Sequence, residues 1–399
     1  MPFLPTPTIS RLAALHRPGR FAGTRAALML LAVLVALWAC AGLPPAARAA
    51  AAPGGRASQA RADAMASALV ARWMAEHHLP GLALAVVRDR RLILARGYGT
   101  RDLGGTVPVT PETPFQIASI TKALTAVAVL QLVEAGRVAL DDPVGRHLSG
   151  LPEAWRLVTV RQLLAHTSGI PSISAFDRPP CDPQRAQADY QRGDVLREIA
   201  CLPLAFAPGE RWAYGDTGYY LLGLLLTAVS GQPYDAHMAA RVFGPAGMTA
   251  TRVQRRPPLA GVAEPTRWEN GRHLRVEPLD PMVDEANGAI VSTVLDLARW
   301  AAALDAHALV SAATRDTMWT PVALRDGVAP YGLGFGLTPF AGRRRVGHTG
   351  GGPGCATAFA KFPDDRLTVI VLARGELPAG AAQRFANEIA AAYLQPRSP

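Results

Sequence analysis

Ser119 and Lys122 stand three residues apart at the head of the apolar run Phe115–Leu130, FQIASITKALTAVAVL. On a helix that spacing puts both on one face, a turn apart. Ser119 then falls at the N-terminal end, where unpaired backbone N–H groups and the helix dipole favour developing negative charge. Lys122 and Lys361 are the only two lysines; the rest of the 41 basic residues are arginine. Arginine keeps its proton in any protein environment, whereas lysine gives it up when buried or set beside another cation. A serine hydroxyl beside an amine that can be made neutral suits acyl transfer through a covalent ester. The same pair also reads as an N-cap serine next to a surface lysine, so its partners must decide.

Two other stretches carry polar groups in settings that otherwise look structural. Tyr214-Gly215-Asp216 forms a tight entry to the apolar segment Thr217–Ser230, and His348-Thr349-Gly350 runs into Gly351-Gly352-Pro353-Gly354. Serine acylation needs a base within hydrogen-bond reach and N–H donors for the oxyanion. Lys122 and Tyr214 are the candidate bases. The candidate donors are the N–H groups of Ser119 and Gly351, since glycine lets a substrate approach a strand edge closely. Each residue has a structural reading as well. Tyr214 reads equally as a core aromatic with a bonded hydroxyl, Asp216 as a plain N-cap, and His348 as a structural histidine. Ser168 beside His166 is a second nucleophile candidate, but His166-Thr167-Ser168-Gly169 at a helix end reads more simply as a turn. No Gly-x-Ser-x-Gly elbow occurs, which argues against an α/β-hydrolase. No His-Glu-x-x-His occurs and His77-His78 are adjacent, so these residues require neither metal nor cofactor.

The elements that must position these groups divide into three parts. Gly81–Val87 and Leu92–Tyr98 read as a hairpin turning at Arg88–Arg91, after a helix over Ala60–His78. Near the other end, Ala356–Phe362 and Leu367–Ala373 are strands joined by Pro363-Asp364-Asp365, and a helix closes the chain over 379–394. Gly288–Ser292 and Tyr331–Leu337 also read as strands, and Thr293 caps a helix over Val294–Leu304. The middle, about 137–284, reads as helical, with Thr159 capping a short helix to Ala165 and a long polar loop over 171–192. The economical arrangement is one antiparallel sheet built from both ends, flanked by helices, with an all-helical part inserted: an α+β fold.

The first 49 residues carry five arginines and no acid, then the apolar run Ala26–Ala41 and the small-x-small site Ala47-Arg48-Ala49. That is the pattern of a secretory signal over 1–49, followed by a flexible linker over 50–59 and a single domain over 60–395. The run is shorter than a membrane span. Cys40 behind Leu37-Trp38-Ala39 offers a lipoprotein-type site, at which Trp38 is bulky. Without those five arginines the formal charge of +10 falls to +5. Apart from Arg343-Arg344-Arg345 the basic residues are dispersed, with no aromatic-interleaved stripe for nucleic acid. Cys181 and Cys201 can pair in an oxidising compartment or remain two thiols.

FQIASITKALTA, LDDPV, TVRQLLAHTSGI, FAPGERWAYGDTGYYLLG, GAIVSTVLDLARW, YGLGFG and GHTGGGPG together, in this order, resemble the serine β-lactamase-like and penicillin-recognising enzymes. The similarity points to the branch of class C β-lactamases, D-alanyl-D-alanine carboxypeptidases and related esterases, from about residue 60 to 390. It implies a β-lactamase/transpeptidase-like fold, with the site between sheet and helical subdomain. It implies Ser119 as the acylated nucleophile, Lys122 as its activating lysine and Tyr214 as the proton relay. Gly351 falls at the second oxyanion donor, and His348-Thr349 on the substrate-binding strand. Histidine at 348 is similar to carboxypeptidase- and esterase-type members. Asp216 departs from the family's usual Tyr-x-Asn. A carboxylate only accepts hydrogen bonds, and beside Lys122 it favours the charged ammonium. The expectation is an exported hydrolase of small esters or D-amino-acid peptide and amide bonds, weak on β-lactams. The alternative is a non-catalytic envelope protein that binds peptidoglycan or a β-lactam through the same fold.

Overall fold

In a computed structural model, residues 53–173, 181, 194–255 and 258–395 are described. The signal segment and Cys40 lie outside them, as does most of the 171–192 loop. Five strands form one antiparallel sheet: β1 (Gly81–Arg88), β2 (Arg91–Gly99), β3 (Val346–Gly352), β4 (Cys355–Phe362) and β5 (Leu367–Arg374), in the order β3-β4-β5-β1-β2. The last strand therefore pairs with the first, Gly81 facing Arg374 and Arg88 facing Leu367. The sheet is built from both ends of the chain, as its two apolar runs predict.

Both faces of the sheet are covered, which is why β1 reads as an unbroken apolar run. Leu82, Leu84 and Val86 enter one core; Ala83, Ala85 and Val87 enter the other. This is the strand's two-residue alternation. The first core lies under the helices Pro53–Glu76 (α1) and Ala381–Tyr393 (α6), with Ala66, Val70, Phe385 and Ile389 packed in it. The second joins the sheet to Ile120–Glu134 (α2), Thr217–Ser230 (α4) and Val294–Asp305 (α5). Helix α5 starts at Thr293, whose side chain accepts from Asp296 N–H. A short helix, Val160–Leu164 (α3), starts at a full capping box of Thr159 and Gln162.

Three expectations need correction. Residues 53–59, read as part of a linker, lie within α1; alanine at high density supports a helix despite the two glycines. Tyr331–Leu337 is not a strand but a looped segment that meets Tyr331–Gly336 and Gly336–Gly347 as isolated bridges. A side chain at Gly332 would strike Met318 O at 2.1 Å, and Gly334 has φ +86°, so this glycine pattern serves close packing and a turn. The inserted middle is not all helical. Strands Thr266–Glu269 and Arg272–Arg275 form a hairpin, and Arg252–Val253 pairs with Ile290–Ser292. Cys181 and Cys201 are bridged, closing the option of two thiols.

Candidate active site

Ser119 occupies the turn immediately before α2 (Ile120–Glu134), with helical φ/ψ of −64° and −5°. Ala118 before it has φ +45°, rare for a residue with a side chain. Tertiary contacts hold this turn in place. Ile117 N–H donates to Ile290 O at 3.0 Å, Ile290 N–H donates to Thr121 Oγ1 at 3.2 Å, and Thr357 Oγ1 on β4 donates to Ile117 O at 2.9 Å. Strand β3 passes so close that a Cβ at Gly350 would meet Ile117 O at 2.3 Å and Ala118 Cβ at 3.0 Å. Gly350 is thus glycine for packing. A Cβ at Gly351, by contrast, would meet nothing within 4 Å, so the opposite face of the strand is open there.

Lys122 is fully buried, and each of its N–H donors has a partner. Nζ donates to Ser119 Oγ at 3.0 Å, to Asp216 Oδ1 at 2.6 Å and to Asn287 O at 3.0 Å. Burial disfavours the ammonium, but Tyr214 and the Asp216 carboxylate outweigh it, and the pKa stands above the ordinary lysine value. The neutral amine that the sequence suggests is therefore not the resting form; the carboxylate at 216 holds Lys122 charged. Asp216 sits at the N-cap position of α4, yet its side chain makes no capping hydrogen bond. Its Oδ1 is engaged by Lys122, and its backbone N–H donates to Ser172 Oγ at 2.9 Å. Tyr214 is 42% exposed, with its ring centroid 5.0 Å from Lys122 Nζ.

His348 faces inward, and both of its ring nitrogens are engaged within the protein. Nδ1 lies 2.6 Å from Thr349 O and Nε2 lies 2.8 Å from Tyr331 Oη. A carbonyl only accepts, so Nδ1 carries the proton and the tyrosine hydroxyl donates to Nε2. Burial, with the Lys122 charge added, pushes His348 down to about 3, so it is neutral. Ser168 Oγ accepts from Ile170 N–H at 3.2 Å, as the turn reading requires.

Beside Tyr214 opens a cavity of about 200 Å³, whose walls include Trp212, Tyr331, Arg345, His348, Thr349 and Gln383. Arg345 is only 4% exposed. Its Nε donates to Thr338 O at 2.8 Å, and among the described residues no carboxylate pairs with it. Burial alone lowers its pKa, to about 10. The arginine triplet is thus divided three ways: Arg343 pairs with Asp365, Arg344 reaches Trp319, and Arg345 turns to the cavity wall.

The structure brings Ser119, Lys122, Tyr214 and Asp216 into one cluster. His348 joins it by its ring, 6.0 Å from the Tyr214 ring, centroid to centroid, and Gly351 follows the glycine packed on the Ser119 turn. Asn287, Tyr331 and Arg345 were missed as site residues, and His166 was weighed only beside Ser168, as part of a turn. Asn287 acts through its backbone oxygen, which no side-chain pattern marks, and Arg345 carried only the signal of a charge run.

The protein-family profile described as Beta-lactamase matches residues 66–393. Penicillin-binding protein 4* of Bacillus subtilis (strain 168) is 30% identical over 322 residues, 75% of this chain and 69% of that protein. The octameric penicillin-binding protein homologue from Pyrococcus abyssi is similar in structure, with a TM-score of 0.69 and 29% identity, over 82% of this chain and 76% of that one. A D-stereospecific amidohydrolase from Streptomyces sp. is similar with a TM-score of 0.64 and 26% identity, over 83% and 96% of the two chains.

Proposed function

The chain belongs to the beta-lactamase family, and on that premise we propose that it is a serine hydrolase working through an acyl-enzyme at Ser119. The observation that carries this reading is the 3.0 Å hydrogen bond from a fully buried Lys122 to Ser119 Oγ. A hydroxyl held by a desolvated cation at the start of a helix suits nucleophilic attack.

In this proposal Lys122 is a charged donor. It orients Ser119 Oγ and stabilises the negative charge that grows there as the proton leaves. Tyr214, which must enter this step as its phenolate beside that charge, takes the Ser119 proton as Oγ bonds to the acyl carbon. The carbonyl oxygen becomes an oxyanion facing the N–H groups of Ser119 and Gly351. Collapse breaks the bond to the leaving group, and Tyr214 returns the proton to it. Water then cleaves the Ser119 ester by the same steps.

We assign the substrate class as acyl compounds, esters or D-amino-acid peptides, whose leaving group carries a carboxylate. The leaving group departs on the Tyr214 side, where the cavity wall holds the buried Arg345 guanidinium, which no carboxylate among the described residues pairs with. A carboxylate there would satisfy it bidentately. The amidohydrolase and penicillin-binding names of the relatives fit amide and peptide substrates. We also place the protein outside the cytoplasm, a reading that the Cys181–Cys201 bridge supports. Mass spectrometry tests the proposal: the protein mixed with a p-nitrophenyl ester should gain one acyl group on Ser119 and release it. A second reading, a binder that acylates once or never, is favoured by the charged Lys122. A permanent adduct, or none with either an ester or a penicillin, would establish it instead.

A further inference from the structure

The turn His166-Thr167-Ser168-Gly169 has no part in the chemistry above, yet the segment leading to Tyr214 is laid along it. Ala205 N–H donates to Gly169 O at 2.8 Å, Gly209 N–H to Thr167 O at 2.8 Å, and Ala213 N–H to His166 O at 3.0 Å. A side chain at Gly169 would strike Phe206 O at 2.1 Å, so the two segments are in close contact. His166 then grips the catalytic turn itself. Its Nδ1 accepts from Gly215 N–H at 3.3 Å, and its ring lies 4.4 Å from the Tyr214 ring, centroid to centroid. The ring also packs on Tyr331 at 4.8 Å, the tyrosine that holds His348, and on Tyr219 at 5.2 Å. Tyr219 in turn donates from its hydroxyl to Leu164 O at 2.9 Å, tying α4 to the same turn.

We propose that His166 is a positioning residue that holds Tyr214 over the Ser119–Lys122 pair. It grips the 214–216 turn from below by ring and by nitrogen, while its backbone aligns the approach at Ala213. His166 has φ +59°, a region in which histidine and asparagine are better tolerated than most residues. Nδ1 must stay unprotonated to accept from Gly215. Burial, and then the charge of Lys122, hold the ring neutral, which fits that duty. The inference rests on Tyr214 acting in the acyl transfer proposed above.

Two variants separate the two grips. His166→Asn keeps an acceptor where Nδ1 stood, and suits the positive φ, but loses the ring. His166→Phe keeps a ring and loses the acceptor. The measurement is the rate of Ser119 acylation by a p-nitrophenyl ester, with thermal midpoints alongside, in the wild type and in Tyr214→Phe. In the wild-type background each variant should slow acylation more than tenfold, with KM changed less than threefold. In the Tyr214→Phe background the same variants should slow it less than threefold, because the group they position is already gone. Equal losses in both backgrounds, or full acylation in His166→Asn, would overturn the proposal. If the wild type is never acylated at Ser119, the enzymatic reading fails instead, a result distinct from either.

Discussion

Lys122 Nζ and Asp216 Oδ1 are 2.6 Å apart, with the lysine side chain fully buried and the aspartate still 18% exposed. Breaking a buried pair from one side leaves the other ion uncompensated. Lysine answers that by losing its proton more readily. Asp216→Asn should therefore move Lys122 towards the neutral base that a Ser-x-x-Lys pair suggests, and offer an amide donor to the substrate. Acylation of Ser119 by a penicillin should rise about tenfold, equivalent to about 1.4 kcal/mol of barrier. A mass-spectrometric time course of adduct formation measures it. An unchanged or slower rate would refute a role for Asp216 in limiting acylation by penicillins.

Arg345 yields a specificity prediction. Two acyl-peptides, one ending in a free carboxylate and one in its carboxamide, should differ in kcat/KM in favour of the acid. Arg345→Gln should reduce that ratio about tenfold or more, since a hydrogen bond to a charged group contributes about 1.5–3 kcal/mol. The ratio is internally normalised, so partial loss of folded protein does not imitate the effect. Arg345→Lys should recover part of it, by charge without the fork. Competitive inhibition of the wild type by a small arylcarboxylate, but not by its amide, checks the same site without any substitution.

Adjacent glycines on β3 predict opposite outcomes. At Gly350 a Cβ would stand 2.2 Å from Thr357 Oγ1 and 2.3 Å from Ile117 O, so Gly350→Ala must push β3 off the Ser119 turn. It should cost about 1–3 kcal/mol of stability, as overpacking does, and lower activity with it. At Gly351 the same methyl meets nothing within 4 Å. Gly351→Ala should keep both the wild-type thermal midpoint and the ester kinetics, because its methyl would project into open space on the strand face opposite the Ser119 turn. Scanning calorimetry beside ester kinetics separates the two.

The sheet was legible because strands covered on both faces announce themselves as unbroken apolar runs, and β1 and β5 are such runs, one from each end of the sheet's sequence. Ser119 and Lys122 were legible from their helical spacing, Tyr214 from the tight entry to α4, and His348 from the glycine run behind it. What was not legible depends on where chains meet. Asp216 looks like a cap from its neighbours; its place beside Lys122 came from the resemblance, and the ion pair itself forms where α4 packs against α2. His166 looks like one residue of a turn until the 205–213 segment is laid upon it. Tyr331–Leu337 alternates like a strand, but Gly332 and Gly334 are there for Met318 and for a bend. The Cys181–Cys201 bridge depends on the path of a loop that no local pattern sets.

Asp284 predicts a pH dependence of stability. Burial, then the nearby Asp216 charge, raises its carboxyl from 3.8 to about 7. The native state therefore binds a proton that the unfolded chain releases near pH 4. Where the native state holds more protons, stability falls as pH rises. The wild type should lose stability relative to Asp284→Asn between about pH 4 and pH 7, and the gap should level off above that. The amide preserves an acceptor for Asp280 N–H, which donates to Asp284 Oδ2 at 3.2 Å. Urea midpoints at intervals across that range test it, and parallel curves for the two proteins would refute it.

The two lysines make the last prediction. Lys122 and Lys361 are 0% and 2% exposed, and each lies 2.6 Å from an aspartate oxygen, Asp216 and Asp305. A chain that otherwise writes arginine keeps lysine at two buried positions where one compact cation must satisfy several acceptors. Lys361 also reaches Thr368 Oγ1 at 3.2 Å, as Lys122 reaches Ser119 and Asn287. Lysine's scarcity therefore marks burial in an ion pair, and only position distinguishes the two. Arginine's wide planar fork fits neither site, so both Lys122→Arg and Lys361→Arg should lower the thermal midpoint. Their chemistry should diverge. Lys122→Arg displaces the donor 3.0 Å from Ser119 Oγ and should abolish acylation as completely as Ser119→Ala. Lys361→Arg, pairing with the end of α5, should leave the acylation rate per folded molecule within about twofold of the wild type, the additivity expected of distant sites. Active-site titration with a p-nitrophenyl ester, corrected for folded fraction, decides it. Wild-type acylation in Lys122→Arg would remove that lysine from the mechanism.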